Sequence, residues 1–586
     1  MLKNLSYLWP FLRPYRKKLY LGLLTILVGV SIGLANPIVI GHGIDALRQG
    51  ATRGQLAAYG GLIVLIAIGS GFFSYLQRML LVAMSRDVEF DLRDKYFASL
   101  ERQAPSFFHD YPTGDLMARA TNDLQAVRML CGPAIMYASN TVVVGLGSLI
   151  LMARIHLGMT LAAMAVMPII AITTKKFGER IHKLFERVQE QFSTVSSKVQ
   201  ENLAGVRVVR AYAQEDRERM SFAAANDEYV ERNRLLIRWQ AAFFPTLQSL
   251  VGVAFVVILL YGGLLTIQNA ITVGELVTFN SFLARMVWPM IALGWVINLA
   301  QRGSASLGRM RQILEAVPSI SDVAITADSA AQTPIEIRGS IEFRQLDFRY
   351  KPEKPLALSG LDISVPAGTT VALVGRTGSG KSTLLSLIPR LLDPPEGALW
   401  VDGQDVRQIP LARLRQAIGM VPQETFLFSA TVRENIALGR PEASEQEILA
   451  AADDAGLSLD LASFPHGLDT RVGERGLTLS GGQKQRVALA RALLRAPRIL
   501  LLDDSLSAVD THTEELILGN LRRLFAGRTV FLVSHRISTV QTADLILVLE
   551  GGRIVERGSH SELIAHGGLY ADLHQRQLLE EELAAV

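Results

Sequence analysis

The sequence predicts an α-helical domain of six membrane spans fused to an α/β domain built around a phosphate-binding loop. Three observations predict it. Six long apolar segments stand before about Leu299, short β-branched runs alternate with helical stretches from Ile341 onward, and a Gly-rich loop at Gly375–Ser382 joins one such run to a helix. At 586 residues the chain exceeds what one hydrophobic core supports. The expected divisions are 1–318 for the membrane part with its two long loops, 319–338 as a linker, 339–578 for the α/β part and 579–586 as a tail.

A helix needs about 20 mostly apolar residues to cross a bilayer. Leu19–Ile40, Leu56–Val82, Ala134–Met152, Met159–Thr174, Phe243–Ile267 and Leu276–Ala300 qualify, the fourth being short and closed by Lys175-Lys176. Hydrophobic residues make up 49% of the chain and concentrate in these runs, so a lipid bilayer is the first partner expected. A net charge of +4 is small for this length and gives no support to a nucleic-acid partner. The single cysteine, Cys131, excludes an intrachain disulfide. Trp9, Pro10 and Arg13 interrupt any cleavable signal layout at the N-terminus. Leu5–Tyr20 is expected instead as a basic amphipathic approach helix lying on the membrane surface, the alternative being an ordinary helix leading into the first span.

The connections set the orientation. Arg86, Arg93, Lys95, Arg102, Arg119 and Arg128 stand between the second and third spans, and the fourth-to-fifth connection is richer still, from Lys175 to Arg238. The last connection, Tyr261 to Gly274, has no Lys or Arg. Positive residues favour the inside, so both long connections and both termini are expected in the cytoplasm. Val188, Phe192, Val195, Val199 and Leu203 keep helical spacing, which extends the spans as rigid arms. Polar turns are expected at the arm tips, Tyr111-Pro112-Thr113-Gly114-Asp115 in the first and Tyr212-Ala213-Gln214-Glu215-Asp216 in the second. Such tips suit the passage of force to a soluble domain; a passive helical spacer is the alternative.

Arg285 falls about 15 Å into the last span at 1.5 Å per residue. Charge inside a membrane is costly and marks either a substrate path or a contact with another side chain or carbonyl of the helix bundle. Asn280, Gln301, Gln248 and Asn140 are candidates to share a polar cavity with it.

In the second half, Thr370–Val374 reads as a buried strand and a helix is expected from Thr383. Between them, Gly375-Arg376-Thr377-Gly378-Ser379-Gly380-Lys381-Ser382 is a complete G-x-x-x-x-G-K-[ST] loop. Its glycines let successive N–H groups face one centre beside a helix N-terminus. Lys381 then reaches the β- and γ-phosphates and Ser382 takes Mg²⁺, so ATP and Mg²⁺ are the expected ligands. A second apolar strand, Arg498–Leu502, delivers Asp503, an acid suited to holding Mg²⁺ through water, followed by Asp504. Leu479-Ser480-Gly481-Gly482-Gln483 precedes a helix expected over Lys484–Leu494 and makes another anion site. One chain has no use for two phosphate sites per nucleotide unless the second serves a nucleotide held by another subunit.

The loop at Gly375, the segment Leu479–Gln483 and Asp503, in this order, resemble an ATP-binding-cassette domain. Other positions match the family in turn. Tyr350 resembles the aromatic that stacks on adenine, and Gln423 in Val421-Pro422-Gln423 resembles the glutamine that senses the γ-phosphate and metal and faces the coupling arms. Glu474 resembles part of the exporter segment before the signature, Ser507–Asp510 the loop crossing the dimer interface, and His535 the switch histidine. Six spans with two long loops resemble the exporter class. Trp288-Pro289-Met290 through Trp295, Asn298 and Gln301-Arg302-Gly303 look like multidrug-type bacterial half-transporters.

One position departs from the pattern. The family places Glu after the strand-end aspartate to polarise the attacking water, and here stands Asp504. Asp is one methylene shorter, and a misplacement of about 1 Å can cost about a hundredfold in rate. Asp503-Asp504-Ser505-Leu506-Ser507 resembles the poorly hydrolysing subunit of a heterodimeric exporter. The resemblance implies ATP-driven export of hydrophobic or amphiphilic, drug-like substrates across a bacterial inner membrane, with a related half-transporter as partner. A homodimer, a peptide exporter or a lipid flippase of the same architecture remain as alternatives. A soluble ATPase carrying this cassette is opposed by the six spans, and an ATP-gated channel by the resemblance.

Overall fold

The computed structural model describes residues 2–322, 336–473, 476, 479–505, 519, 523–534 and 536–585. Two compact units emerge. One comprises Met1–Glu101 with Pro112–Ala316, the other Arg102–Tyr111 with Val317–Val586.

In the first unit, α1 (Leu2–Leu12) is followed by a single 3₁₀ turn, Arg13–Tyr15, and then by α2 (Arg16–Arg48). The single surface helix expected over Leu5–Tyr20 is therefore two pieces. Pro14 lacks an N–H and breaks the ladder, and the chain from Arg16 already belongs to the first span. There follow α3 (Arg53–Glu101), the short α4 (Pro105–Asp110), which groups with the second unit, and α5 (Thr113–Ile155). Then come α6 (Leu157–Ala204), the one-and-a-half-turn α7 (Val206–Ala211), α8 (Glu215–Ile267) and α9 (Val273–Leu314). Six of these helices are long and apolar enough to span a membrane, the number the sequence predicts.

Glycine lets the spans approach closely. Gly22 and Gly29 of α2 sit against Leu81 and Phe73 of α3, where a Cβ would come within 2.6 and 2.7 Å of those side chains. At the far end α2 crosses α9. A Cβ on Gly274 would meet the Gly41 carbonyl at 2.1 Å, and Asp45 accepts the Gly274 N–H at 2.8 Å and the Thr272 hydroxyl at 2.6 Å. Thr272 and Glu275 form a capping box that starts α9. Gly274→Ala should lower stability by about 1–3 kcal/mol, because the obstacle is backbone and cannot rotate away. The midpoint of thermal unfolding of the purified variant tests this, and an unchanged midpoint would contradict the crossing.

α6 and α8 extend beyond their spans as an antiparallel pair. α6, of 48 residues, is about 72 Å long at 1.5 Å per residue. The pair is joined by Leu184, Val188 and Leu236, by Gln191 Nε2 donating to the Ala225 carbonyl at 2.8 Å, and by Lys198 Nζ donating to the Ser221 carbonyl at 3.0 Å. α5 contains two π turns, Arg119–Asp123 and Leu130–Ala134. They bring Asp123 to Arg309 of α9, whose Nε donates to it at 2.9 Å.

The second unit holds two sheets. A four-stranded antiparallel sheet has the order β2-β1-β4-β5, with β1 (Ile341–Phe348), β2 (Leu358–Val365), β4 (Leu399–Val401) and β5 (Gln404–Asp405). A six-stranded sheet has the order β10-β9-β3-β8-β7-β6. It comprises β3 (Thr370–Val374), β6 (Ile418–Val421), β7 (Ile499–Asp503), β8 (Thr529–Val533), β9 (Leu545–Glu550) and β10 (Arg553–Gly558). Its strands are parallel except for β10. β3 and β7, both buried along nearly their whole length, flank β8, so the segments following them emerge at the same carboxyl edge of the sheet, one strand apart.

Candidate functional site

The phosphate loop follows β3 and runs into α10 (Lys381–Leu387), which begins two residues before the expected Thr383. Gly375 and Gly380 both have φ in the left-handed range, and a Cβ would strike the Leu549 carbonyl at 2.2 Å from the first and Leu358 at 2.6 Å from the second. Gly378 is also left-handed but faces open space. The loop thus folds back on itself, and Lys381 is buried beneath it. Its ammonium donates to the carbonyls of Gly375 at 2.7 Å and Arg376 at 3.0 Å. Burial pulls the Lys381 pKa down, while Asp503 and Asp504 pull it back up.

A cavity of about 480 Å³ collects much of the predicted set. Tyr350, Thr377, Gly378, Ser379, Gly380, Lys381, Ser382, Thr383, Gln423, Asp503 and Asp504 all line it. Asp503 ends β7 and is buried. Asp504 follows with φ 48°, a left-handed backbone that Asp and Asn tolerate best among residues other than glycine. Its N–H donates to the Val533 carbonyl at 3.0 Å, which holds it at the mouth of the sheet. The Tyr350 hydroxyl lies 2.8 Å from Thr383 Oγ1, and its ring meets Phe348 edge-on.

The sequence reading missed one wall. Gly551 and Gly552, between β9 and β10, line the cavity, and the Gly552 N–H donates to the Ser379 carbonyl at 3.2 Å. Paired glycines between two β-branched runs are the hairpin signal that could have found them.

Leu479–Gln483 is elsewhere. Ser480 caps α11 (Gly481–Leu494) in a capping box: Ser480 Oγ accepts the Gln483 N–H at 3.2 Å, and Gln483 Oε1 accepts the Ser480 N–H at 3.0 Å. The helix therefore starts at Gly481, and Gly481 and Gly482 form its first turn instead of preceding it, as expected from the sequence. None of these five residues lines the cavity of the phosphate loop. Glu474, Ser507–Asp510 and His535 lie outside the described residues.

The first arm tip differs from the expected turn. Only Tyr111 and Pro112 are non-helical, while Thr113, Gly114 and Asp115 form the exposed first turn of α5, where Asp115 pairs with Arg119 at 2.8 Å. Pro112 stops α4 and its fixed φ leads into the next helix. The segment grouped with the nucleotide unit is 102–111, upstream of the predicted tip. There Lys351, next to Tyr350, donates to Asp110 of α4 at 2.7 Å and holds that carboxyl below its usual range. In the second tip Tyr212 is exposed, Ala213 is left-handed and Glu215 opens α8.

Arg285 reaches the bundle contact weighed as one alternative. Its Nη1 donates to the Gly33 carbonyl at 2.7 Å. Asn280 Oδ1 is buried without a partner, whereas Gln248 and Gln301 are exposed.

Known proteins agree with this geometry. The ABC transporter transmembrane region family matches residues 19–290, and the ABC transporter family matches 358–507. YheI of Bacillus subtilis (strain 168), a probable multidrug resistance ABC transporter ATP-binding/permease protein, is 38% identical over 581 residues, covering 99% of this chain and 98% of that protein. The multidrug resistance-like ATP-binding protein MdlA of Escherichia coli (strain K12) is 38% identical over 578 residues, covering 98% and 96%. A solved bacterial Atm1-family ABC exporter with ATP bound matches with a TM-score of 0.78 at 30% identity, over 96% of this chain and 98% of that one. With six spans, an ATP-binding-cassette ATPase domain and relatives of this extent, the chain belongs to the ABC transporters, as an ATP-hydrolysing, multi-pass membrane exporter of the multidrug type.

Proposed function

We propose that this exporter moves hydrophobic or amphiphilic, drug-like molecules across a bacterial cytoplasmic membrane, as one subunit of a heterodimer with unequal ATP sites. Asp504 carries the reading: it stands at the mouth of β7 in the nucleotide cavity, where the family's glutamate would stand, and its side chain is one methylene shorter. The separation of Leu479–Gln483 from that cavity supports the two-subunit part, because the capped N-terminus of α11 is then free to complete a site whose loop belongs to the partner.

Within this chain's site, Lys381 meets the β- and γ-phosphates, loop N–H groups from Gly375 to Thr383 cradle them, and Tyr350 stacks on adenine. Asp504 orients water and His535 acts as the switch. The residues present fit Mg²⁺: Ser382, Gln423 and the buried Asp503 line one cavity beside a loop kept open by glycine. Among the described residues no cluster of three His, Cys, Asp or Glu side chains competes as a metal site, which suits an ion that relies on phosphate oxygens. When bound, the ion neutralises phosphate charge. Thr113, Gly114 and Asp115, together with Tyr212, Glu215 and Glu474, carry cassette closure to the arms, and both termini face the cytoplasm.

The test uses inside-out membrane vesicles containing the transporter and an amphiphilic fluorescent dye. ATP-dependent dye accumulation that vanadate, an oxyanion that mimics a transferring phosphoryl group, abolishes is the expected result. Equal accumulation with and without ATP would remove the export of such molecules from this chain.

A further inference from the structure

We propose that Arg285 anchors the headgroup of an amphiphilic organic anion, a carboxylate or sulfonate with one apolar body, and so sets the substrate class. The proposal rests on the export reading above and narrows it.

The site begins with two prolines. Pro37 lies inside α2 and has no N–H, so the Gly33 carbonyl one turn earlier has no helical donor. Pro289 lies inside α9 and deprives the carbonyl of Arg285 in the same way. Arg285 Nη1 fills the first gap, donating to Gly33 at 2.7 Å. A guanidinium carries five N–H donors, so most remain for another acceptor.

Depth and charge narrow what that acceptor is. Gly33 lies about 5 Å along its helix from the midpoint of Leu19–Ile40, at 1.5 Å per residue. The six apolar segments contain no Asp or Glu, and their basic residues are Arg78 and Arg285. A second copy of this chain would therefore bring no carboxylate to this depth. Arg285 is exposed on the chain, and a cation facing hydrocarbon at mid-span is strongly disfavoured, so this face lines a cavity rather than lipid. Further polar atoms mark these two helices and α5, which packs against both: Asn36 Oδ1, one turn from Gly33 on α2, Asn280 Oδ1 on α9 and Ser148 Oγ on α5 are buried without partners. They suit hydroxyl, amide or water donors beside a headgroup. Trp288, nearly one turn past Arg285, is 62% exposed and offers apolar surface for the body of the molecule. The Gly41–Gly274 crossing holds α2 and α9 in register, so the cation is presented by a fixed platform. An uncompensated cation in a low dielectric attracts an anion and repels cationic amphiphiles.

The experiment compares dansylaminoundecanoate with its methyl ester, which share one apolar body and differ by one charge. The full-length transporter, with its partner subunit where one is needed, is reconstituted in phosphatidylcholine vesicles. Binding is read by dansyl fluorescence and transport by ATP-dependent uptake. The acid should bind about tenfold or more tighter than the ester, as expected for a charge-assisted hydrogen bond. Arg285→Ala should bring the ratio close to one, and Arg285→Lys should keep part of it, which separates lost charge from lost folding. Equal handling of acid and ester by the wild type overturns the proposal while export stands, and absence of any ATP-dependent uptake overturns export with it. An acid preference that survives in Arg285→Ala, or loss of the subunit pairing in that variant, assigns Arg285 to a partner's carboxylate and overturns the proposal. So does stimulation that follows added anionic phospholipid and not the acid.

Discussion

Lys381→Ala weakens ATP binding at this chain's phosphate loop, with a loss of at least about a hundredfold in affinity as the expected result. Among the described residues that line the cavity the Lys381 ammonium is the one cation, and hydrogen bonds to charged groups are worth about 1.5–3 kcal/mol each in the ground state. Two features make the variant informative. Lys381 is buried, and its nitrogen already sits 2.7 Å from Gly375 O and 3.0 Å from Arg376 O, so the side chain also stitches the loop to itself. Alanine removes the charge and the stitch together. Lys381→Met, close in volume and uncharged, should lose nearly as much ATP affinity with less effect on thermal stability. Nucleotide titration by intrinsic fluorescence reads the affinity and thermal unfolding reads the stability, each separately. Nucleotide binding at this site unchanged in both variants would remove Lys381 from the phosphate site.

The second large effect is asymmetry between the two ATP sites. In the proposed heterodimer Asp504→Asn should cost little hydrolysis, because the site on this chain's loop would contribute little of it. Changing the partner's glutamate at the matching position to Gln should remove most turnover. Substitutions at Ser480 or Gly481 here should behave like the partner's change if, as proposed, the capped start of α11 completes the partner's site. The converse experiment is Asp504→Glu, expected to raise turnover at this site by up to about a hundredfold, because it restores the reach lost with one methylene. The backbone opposes that gain. Asp504 has φ 48°, and a left-handed residue without Asp's local hydrogen bonding costs roughly 1–2 kcal/mol. The variant should therefore be faster and somewhat less stable, a pair of outcomes that thermal unfolding and hydrolysis record together. Vigorous, substrate-stimulated ATPase from this chain purified alone as a dimer would sink the heterodimer and make Asp504 a working base.

Span count, the loop at Gly375–Ser382 and the strand leading to Asp503 were legible in the sequence, since each depends on neighbours in the chain. Apolar runs of spanning length can satisfy their backbone in lipid only as helices. A G-x-x-x-x-G-K-[ST] loop after a β-branched run carries its geometry in its own glycines, and Gly375 and Gly380 adopt the left-handed φ that their positions require. Element edges were less legible: α10 starts directly after the left-handed Gly380, and α11 starts early because Ser480 caps it while the glycines after Ser480 are already helical. What only tertiary structure decided lies between segments distant in sequence. Pro37 announces a carbonyl without a donor at Gly33, but that Arg285, 252 residues later, supplies the donor depends on how α2 and α9 cross. The nucleotide cavity gains its Gly551–Gly552 wall because β10 turns back antiparallel on a parallel sheet, and Lys351 meets Asp110 because α4 packs with the ATPase unit. The physical reason is common to all three. Local pattern determines which backbone groups and charges need partners, while the packing of apolar faces far apart in the chain decides which partners arrive.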